Sequence, residues 1–256
     1  VNANELLQRF GLHGRKAVVT GASSGLGRHF ASVLAAAGAE VFACARRIDR
    51  LDSLVQEITA AGGLAHAVVM DVTNRSSVCA ALDVIDNIDI LINNAGVSDT
   101  KRVLDYSDAD WDAIVDTNLK GTWVVAQETA RRMAAANIVG SIINITSILG
   151  TRVAGGLTPY IAAKAGLKQL TQSLALELAR YNIRVNSIAP GYVVTELNGD
   201  FLSGAAGEKL KARIPSQRFG TYEDLNGALL LLASPASAYM TGSEIVVDGG
   251  HLCSGL

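Results

Sequence analysis

Two hydrophobic rhythms alternate along this chain. Short, mostly apolar runs at 16–20, 40–45, 64–70, 88–92, 140–146, 183–189 and 244–247 predict seven strands. Between them, apolar residues recur at helical spacing. The pattern predicts helices over 25–37, 48–61 (Leu51, Leu54, Val55 and Ile58 on one face), 76–87, 107–135 and 159–181. Strands that are apolar on both faces, each followed by a helix, describe a parallel sheet covered on two sides. Right-handed crossovers then favour a doubly wound α/β sheet or a barrel. The rhythm never resets, so 1–256 reads as one domain. Its single irregular stretch, 191–216, follows the sixth strand where open sheets bind ligands, and is expected to form a substrate lid.

Composition narrows the function classes. The chain carries 22 Lys/Arg against 24 Asp/Glu, for a net charge of −2. That balance gives no footprint for nucleic acid. No run reaches the length of a membrane span. Residues 1–10 lack the apolar block of a secretory signal. Three cysteines (Cys44, Cys79 and Cys253) in no metal or redox spacing fit a reducing, cytoplasmic setting. The four histidines, His13, His29, His66 and His251, have no metal-ligand spacing either, so no metal is expected. Glycine stands out, with 25 of 256 residues.

Several of those glycines have an address. Thr20-Gly21-Ala22-Ser23-Ser24-Gly25-Leu26-Gly27 joins the first strand to the first helix of the sheet. There, glycines bring backbone N–H groups at a helix start up to a phosphate. The loop is not the GxGxxG fingerprint, because Phe30 stands at the third glycine's place, and no Gly-Lys-Ser/Thr follows for a P-loop. Gly21-x-Ser23-x-Gly25 also fits a hydrolase nucleophile elbow, with Asp248 and His251 downstream as an alternative triad. The second strand ends in Cys44-Ala45-Arg46-Arg47. An acid at that place would bind an NAD ribose, whereas guanidinium groups suit the extra phosphate of NADP. Each charge-assisted contact is worth about 1.5–3 kcal/mol, so NADP(H) is expected to be preferred, with NAD(H) as the alternative cofactor. Tyr160 and Lys164, four residues apart, share a helix face, and Ser147 ends the preceding strand. A nearby ammonium favours the phenolate and would lower the Tyr160 pKa.

Together, Thr20-Gly21-x-x-x-Gly25-x-Gly27, Asn93-Asn94-Ala95-Gly96, Asn118, Ser147, Tyr160-x-x-x-Lys164, Pro190-Gly191 and the closing Asp248-Gly249-Gly250 carry a resemblance. Over essentially its whole length the chain resembles the short-chain dehydrogenase/reductases, 3-oxoacyl reductases among them. The resemblance implies a Rossmann-type sheet and an oxidoreductase moving a hydride between a nicotinamide and a carbonyl or secondary alcohol. Tyr160 would handle the proton and Ser147 would hydrogen-bond the reacting oxygen. Lys164 would bind the nicotinamide ribose, and Asn118 would hold a relay water. The cofactor is expected against Gly21, Ser23, Ser24, Gly25, Leu26 and Gly27, then against Arg46, Arg47, Asp71, Val72, Asn94, Ala95 and Gly96. At the nicotinamide end it would meet Tyr160, Lys164, Pro190, Gly191, Val193 and Thr195. Ile148, Leu149, Val153, Tyr192, Val194, Leu197, Phe201 and Leu202 would line a mostly apolar substrate pocket without a fixed cation. A homotetramer is implied as well, with Trp123 and Leu174 on its contacting helices. A hydride-independent sensor built on the same loop would have no use for Ser147, Tyr160 and Lys164 together.

Overall fold

Seven strands form one parallel sheet: β1 (Lys16–Thr20), β2 (Glu40–Ala45), β3 (Leu64–Val69), β4 (Ile90–Asn93), β5 (Ser141–Ile145), β6 (Arg184–Pro190) and β7 (Glu244–Val247). Their order is β3-β2-β1-β4-β5-β6-β7. The computed structural model describes residues 2–195 and 199–254. Winding runs outward from β1 in one direction and from β4 in the other. The direction therefore reverses between the carboxyl ends of these two neighbours, which pair through Ala17–Ile90, Val18–Leu91 and Val19–Ile92. A crevice opens at such a reversal in any open α/β sheet.

Period-two alternation decides which layer each strand residue joins. Val19, Ile90 and Ile92 face the layer of α2 (Gly25–Ala36), α3 (Ile48–Ala60) and α10 (Asn226–Ala233), packing with Phe30, Leu34, Leu51, Leu54, Leu229 and Leu232. Their neighbours Val18 and Leu91 face the opposite layer of α4 (Arg75–Asp83), α6 (Thr122–Ala135) and α7 (Thr158–Leu178), with Leu82, Val125, Met133 and Ala175. The central strands are buried on both faces, which is why they carry no polar alternation, whereas the edge strands β3 and β7 are partly exposed. Among the described residues no helix is long and apolar enough to cross a membrane.

Three stretches differ from the sequence pattern. Residues 3–10 form a helix, α1 (Ala3–Phe10), whose start is closed by a reciprocal capping box between Asn2 and Glu5. The continuous helix expected over 107–135 is divided. α5 (Asp108–Val115) passes into a π-helical segment, Asp116–Gly121, before α6 begins. The irregular stretch contains two short helices, α8 (Gly199–Ser203) and α9 (Ala205–Lys211).

A buried polar chain ties the central strands to α7. Asn93 Nδ2 donates to Asn144 Oδ1 at 3.0 Å, Asn144 Nδ2 donates to Thr171 Oγ1 at 2.9 Å, and Thr171 Oγ1 donates to the Leu167 carbonyl at 2.8 Å. Asn144→Ala strips partners from two buried groups and should lower stability by about 2 kcal/mol. Urea denaturation of the purified protein reads this directly, and an unchanged midpoint would show that the chain contributes nothing.

Candidate active site

The crevice is floored where β1 and β4 end. Thr20 Oγ1 accepts the backbone N–H groups of both Asn94 and Ala95 at 3.0 Å, while Asn94 Nδ2 donates back to the Thr20 carbonyl at 3.0 Å. Gly21 turns the chain away at φ +68°, and a Cβ there would lie 2.8 Å from the Ala95 Cα. At Gly27 a Cβ would run into the Asn94 side chain and the Gly21 carbonyl. Glycine is thus required at both places by close backbone approach. At Gly25, by contrast, a Cβ would meet no protein atom within 4 Å, so the loop is open on that side. Ser24 stands at the N-cap of α2 without a side-chain cap bond, and no acidic residue occupies the first turn. Free N–H groups at an open helix start, with Ser23, Ser24 and Leu26 around them, suit an anionic diphosphate.

The end of β2 supplies the cations. Arg47 donates to Ser23 Oγ at 2.9 Å and to Ser24 Oγ at 3.4 Å, so it lies across the glycine loop. Arg46 is exposed and close enough to Asp71 to favour its charged form. Hydrogen bonds from Thr73, through its N–H and its hydroxyl at 3.0 and 2.7 Å, are the larger reason that the Asp71 pKa is lowered. Among the described residues neither arginine is held in a carboxylate ion pair within 4.0 Å, which leaves both for a phosphate. Arg28 and Arg50 also border a cleft of about 400 Å³ there, lined by Ser23, Ser24, Asp49 and Ser53 as well. Their place was not legible in sequence, because both lie on helix faces that only the fold turns toward the loop.

Ser147, Tyr160 and Lys164 meet beside β5. Ser147 opens the turn after the strand, where its Oγ accepts the Leu149 N–H at 3.1 Å, and it lies close enough to Tyr160 to favour its phenolate. Pro159 starts α7 and sets Tyr160 in its first turn, with Lys164 one turn further on. The Lys164 ammonium is buried and donates to the Ile145 carbonyl at 2.7 Å, standing 5.6 Å from the Tyr160 ring centre. Burial depresses the lysine to about 8. It raises Tyr160, and the nearby Ser147 hydroxyl offsets only part of that. The expected lowering of the Tyr160 pKa by Lys164 is therefore not present in the protein alone: the ammonium points at a carbonyl, and desolvation dominates.

Asn118 is fully buried in the π-helical segment. Its Oδ1 accepts the Val97 N–H at 2.7 Å and its Nδ2 donates to the Val97 carbonyl at 2.8 Å, so the side chain clamps the strand end carrying Gly96. The extra residue of a π turn rotates Asn118 inward. Close approach of Gly121 to Val72 lets the segment pack against the turn after β3; a Cβ on Gly121 would lie 3.0 Å from the Val72 carbonyl.

After β6, Pro190 and Gly191 lead to Tyr192, Val193 and Thr195. A Cβ on Gly191 would lie 2.7 Å from that of Asp248. Val193 packs its side chain into the core. Ile148, Leu149 and Leu202 are buried as expected of lining residues, whereas Val153 and Val194 are exposed; Leu197 and the Phe201 side chain lie outside the described residues. A cation also stands in the turn after β5. Arg152 donates to the His251 carbonyl and, at 3.0 Å, to Ser254 Oγ. His251 itself is buried at 8% exposure, with its ring centre 5.7 Å from that of Tyr192. Nothing in their local sequence pairs residues 152 and 251, and only the fold brings them together. Trp123 is half-exposed with Arg75 over its ring, whereas Leu174 packs against the core rather than outward.

Comparison with known proteins places this geometry in context. A family model described as enoyl-(acyl carrier protein) reductase matches residues 21–251. A 3-oxoacyl-[acyl-carrier-protein] reductase of Aquifex aeolicus is 38% identical over 244 residues, covering 93% of this chain and 98% of that protein. A gluconate 5-dehydrogenase of Gluconobacter oxydans is 37% identical over 246 residues, covering 94% and 96%. Among solved structures, a gluconate 5-dehydrogenase from Burkholderia cenocepacia in complex with NADP and tartrate superposes with a TM-score of 0.94 at 36% identity, covering 98% of this chain and all of that one.

The buried lysine has a measurable consequence. Its shift from 10.5 to about 8 corresponds to a penalty on the charged form of about 3 kcal/mol. Between these values the unfolded chain binds more protons than the folded one, so stability should rise with pH from about 8 toward 10.5. Lys164→Met removes the penalty and should unfold at or above the wild-type temperature, with that pH dependence gone. A markedly lower melting temperature would show that the Ile145 hydrogen bond outweighs the burial.

Proposed function

The chain belongs to the short-chain dehydrogenase/reductase family, and on that premise we propose that it is an NADP(H)-dependent oxidoreductase of a ketone and its secondary alcohol. One observation carries this reading. Tyr160 lies close enough to Ser147 for that hydroxyl to favour its phenolate, and it is followed one helical turn later by the buried Lys164. A serine hydrolase built on Ser23 would need His251 and Asp248 beside it. Ser23 is instead buried and bonded to Arg47, while His251 packs on Tyr192.

NADPH, when bound, supplies the hydride. The chain's own residues do the rest. Free N–H groups of the Gly21–Gly27 loop hold the diphosphate, and Arg46 and Arg47 take the phosphate that separates NADP from NAD. Asp71 and Val72 border the adenine. Asn94, Ala95 and Gly96 wall the cleft, held in place by the Asn118 clamp, so Asn118 acts as a positioning residue; a relay water would rest on its backbone carbonyl. Pro190, Gly191, Val193 and Thr195 flank the nicotinamide side. Ser147 Oγ donates to the carbonyl oxygen, and the Tyr160 phenol passes its proton to that oxygen as negative charge develops there. Because burial keeps the phenol protonated, Tyr160 is set to act as an acid in reduction. Lys164 holds the ribose, and its charge lowers the cost of the phenolate left behind.

Stretch 191–216 serves as the substrate lid over this edge. Assembly into a homotetramer is supported by exposed apolar side chains on the helices after β4 and β5, Trp111, Trp123 and Leu176. The substrate is a ketone within a class broad enough to span an oxoacyl thioester and a keto sugar acid.

Tyr160→Phe should abolish NADPH oxidation with every ketone tested while leaving NADPH binding, read by its fluorescence, within about threefold of wild type; substantial residual turnover would remove Tyr160 from the mechanism. In the wild type, reduction should hold at neutral pH and fall as pH climbs through about 8, because Lys164 then loses its charge. Replacing both Arg46 and Arg47 by Ala should lower the ratio of kcat/KM for NADPH over NADH by about 10- to 150-fold. An unchanged ratio would point to an NAD-dependent enzyme.

A further inference from the structure

The turn after β7 is built more firmly than a chain end needs to be. Asp248 caps it, accepting the N–H groups of Gly250 at 2.8 Å and Leu252 at 2.6 Å. A Cβ on Gly249 would run into Ser216 Oγ, so the turn is seated hard against the segment that closes the lid stretch. This seating buries His251 beside Tyr192. Tyr192 in turn lies close enough to Tyr160 to influence its ionisation. His251 is thus one aromatic ring away from the hydroxyl that faces the reacting oxygen.

Two features of this corner have no structural account. His251 Nδ1 is buried and has no hydrogen-bond partner among the described residues. An orphaned ring nitrogen of this kind is costly unless a ligand or a water completes it. Arg152 reaches in from the turn after β5, and its bonds to the His251 carbonyl and to Ser254 both use the same terminal nitrogen. The other N–H groups of the guanidinium fork are left without a protein acceptor among the described residues. Around the imidazole, Arg152 and Arg213 favour its neutral form and Asp248 opposes them, with burial the largest influence. Asp248 is committed to the turn, so the balance of free charge at the corner is positive.

We propose that His251 and Arg152 form a recognition corner for a carboxylate on the substrate, making the preferred ketone that of an oxo-acid rather than a neutral ketone or an acyl thioester. The corner rests on the reading of Tyr160 as the proton donor, because it is defined by its distance from that residue. The carboxylate would accept from the free Arg152 N–H groups and from the imidazole, which takes up a proton as the anion arrives. His251 and Arg152 are then specificity-determining residues, acting on which ketone is held and not on the hydride step.

The test pairs binding with turnover. Gluconate and its uncharged amide are titrated by calorimetry at pH 6 to 7 in buffers of different ionisation enthalpy, with and without NADP+. Reduction of a 5-oxo-acid is compared with that of its amide at 340 nm. The corner predicts gluconate binding with proton uptake, weak amide binding, and a kcat/KM preference for the acid of about 10- to 100-fold. In His251→Phe, which keeps a ring against Tyr192, proton uptake should vanish and the preference should fall about tenfold or more. His251→Gln, which keeps a polar atom, should retain more of the preference and guards against a packing defect in the first variant. Equal binding of acid and amide, or a preference that His251→Phe leaves intact, would overturn the corner. Failure to reduce any ketone, with gluconate still binding and protonating His251, would overturn the proposed reaction and leave the corner standing.

Discussion

One side-chain oxygen holds the cleft in register. Thr20 Oγ1 gathers two consecutive N–H groups from the end of the neighbouring strand, and Asn94 returns a bond to the Thr20 carbonyl. Those groups lie where the sheet reverses its winding and no further strand can pair with them. Left unbonded at a partly buried edge, each would cost about 1–3 kcal/mol. Pairing them through Thr20 locks the ends of β1 and β4 at a separation into which only glycine fits, at Gly21 and Gly27. The turn into α2, the direction of its free N–H groups and the wall formed by Asn94 to Gly96 all follow from that separation.

On the other side of the crevice, the molecule accepts a destabilising group. Lys164 is buried with a backbone carbonyl as its polar partner and no counter-carboxylate within ion-pair distance among the described residues. A fold optimised for stability alone would place a hydrophobic residue there. A depressed lysine beside a phenol held protonated by burial is, however, a suitable pair for donating a proton near neutral pH. The polar chain through Asn93, Asn144 and Thr171 braces α7 against the sheet, so the helix presenting Tyr160 and Lys164 is fixed along its length.

Legibility differed sharply between local and long-range features. Every strand was marked by its mostly apolar run, to within two residues at each end, most plainly the central ones, which are buried on both faces. Leu51 and Leu54 were readable as core from their spacing on one helix face. Ser147, Tyr160 and Lys164 stood out as candidates as well, from the helical spacing of the last two and the place of Ser147 after a strand. α1 went unread, although the Asn2–Glu5 capping spacing and the apolar Leu6, Leu7 and Phe10 at helical spacing were both present in the sequence. The π-helical break at Asp116–Gly121 escaped too: it arises from Asn118 turning inward to Val97, a contact between residues 21 apart that no helical period encodes.

Sequence alone determined the strands and helices, the glycine loop between β1 and α2, and the candidacy of Ser147, Tyr160 and Lys164, because these depend on burial periodicity and on spacing within single elements. Tertiary structure decided the rest. It assigned Arg47 to the glycine loop and Arg46 to the side of Asp71, left the Tyr160 phenol raised by burial instead of lowered by its lysine, and turned His251 from an isolated histidine into a neighbour of Arg152 and Tyr192. Each of these is a sum of distances and solvent exclusion over residues remote in the chain, and such sums exist only once the chain has packed.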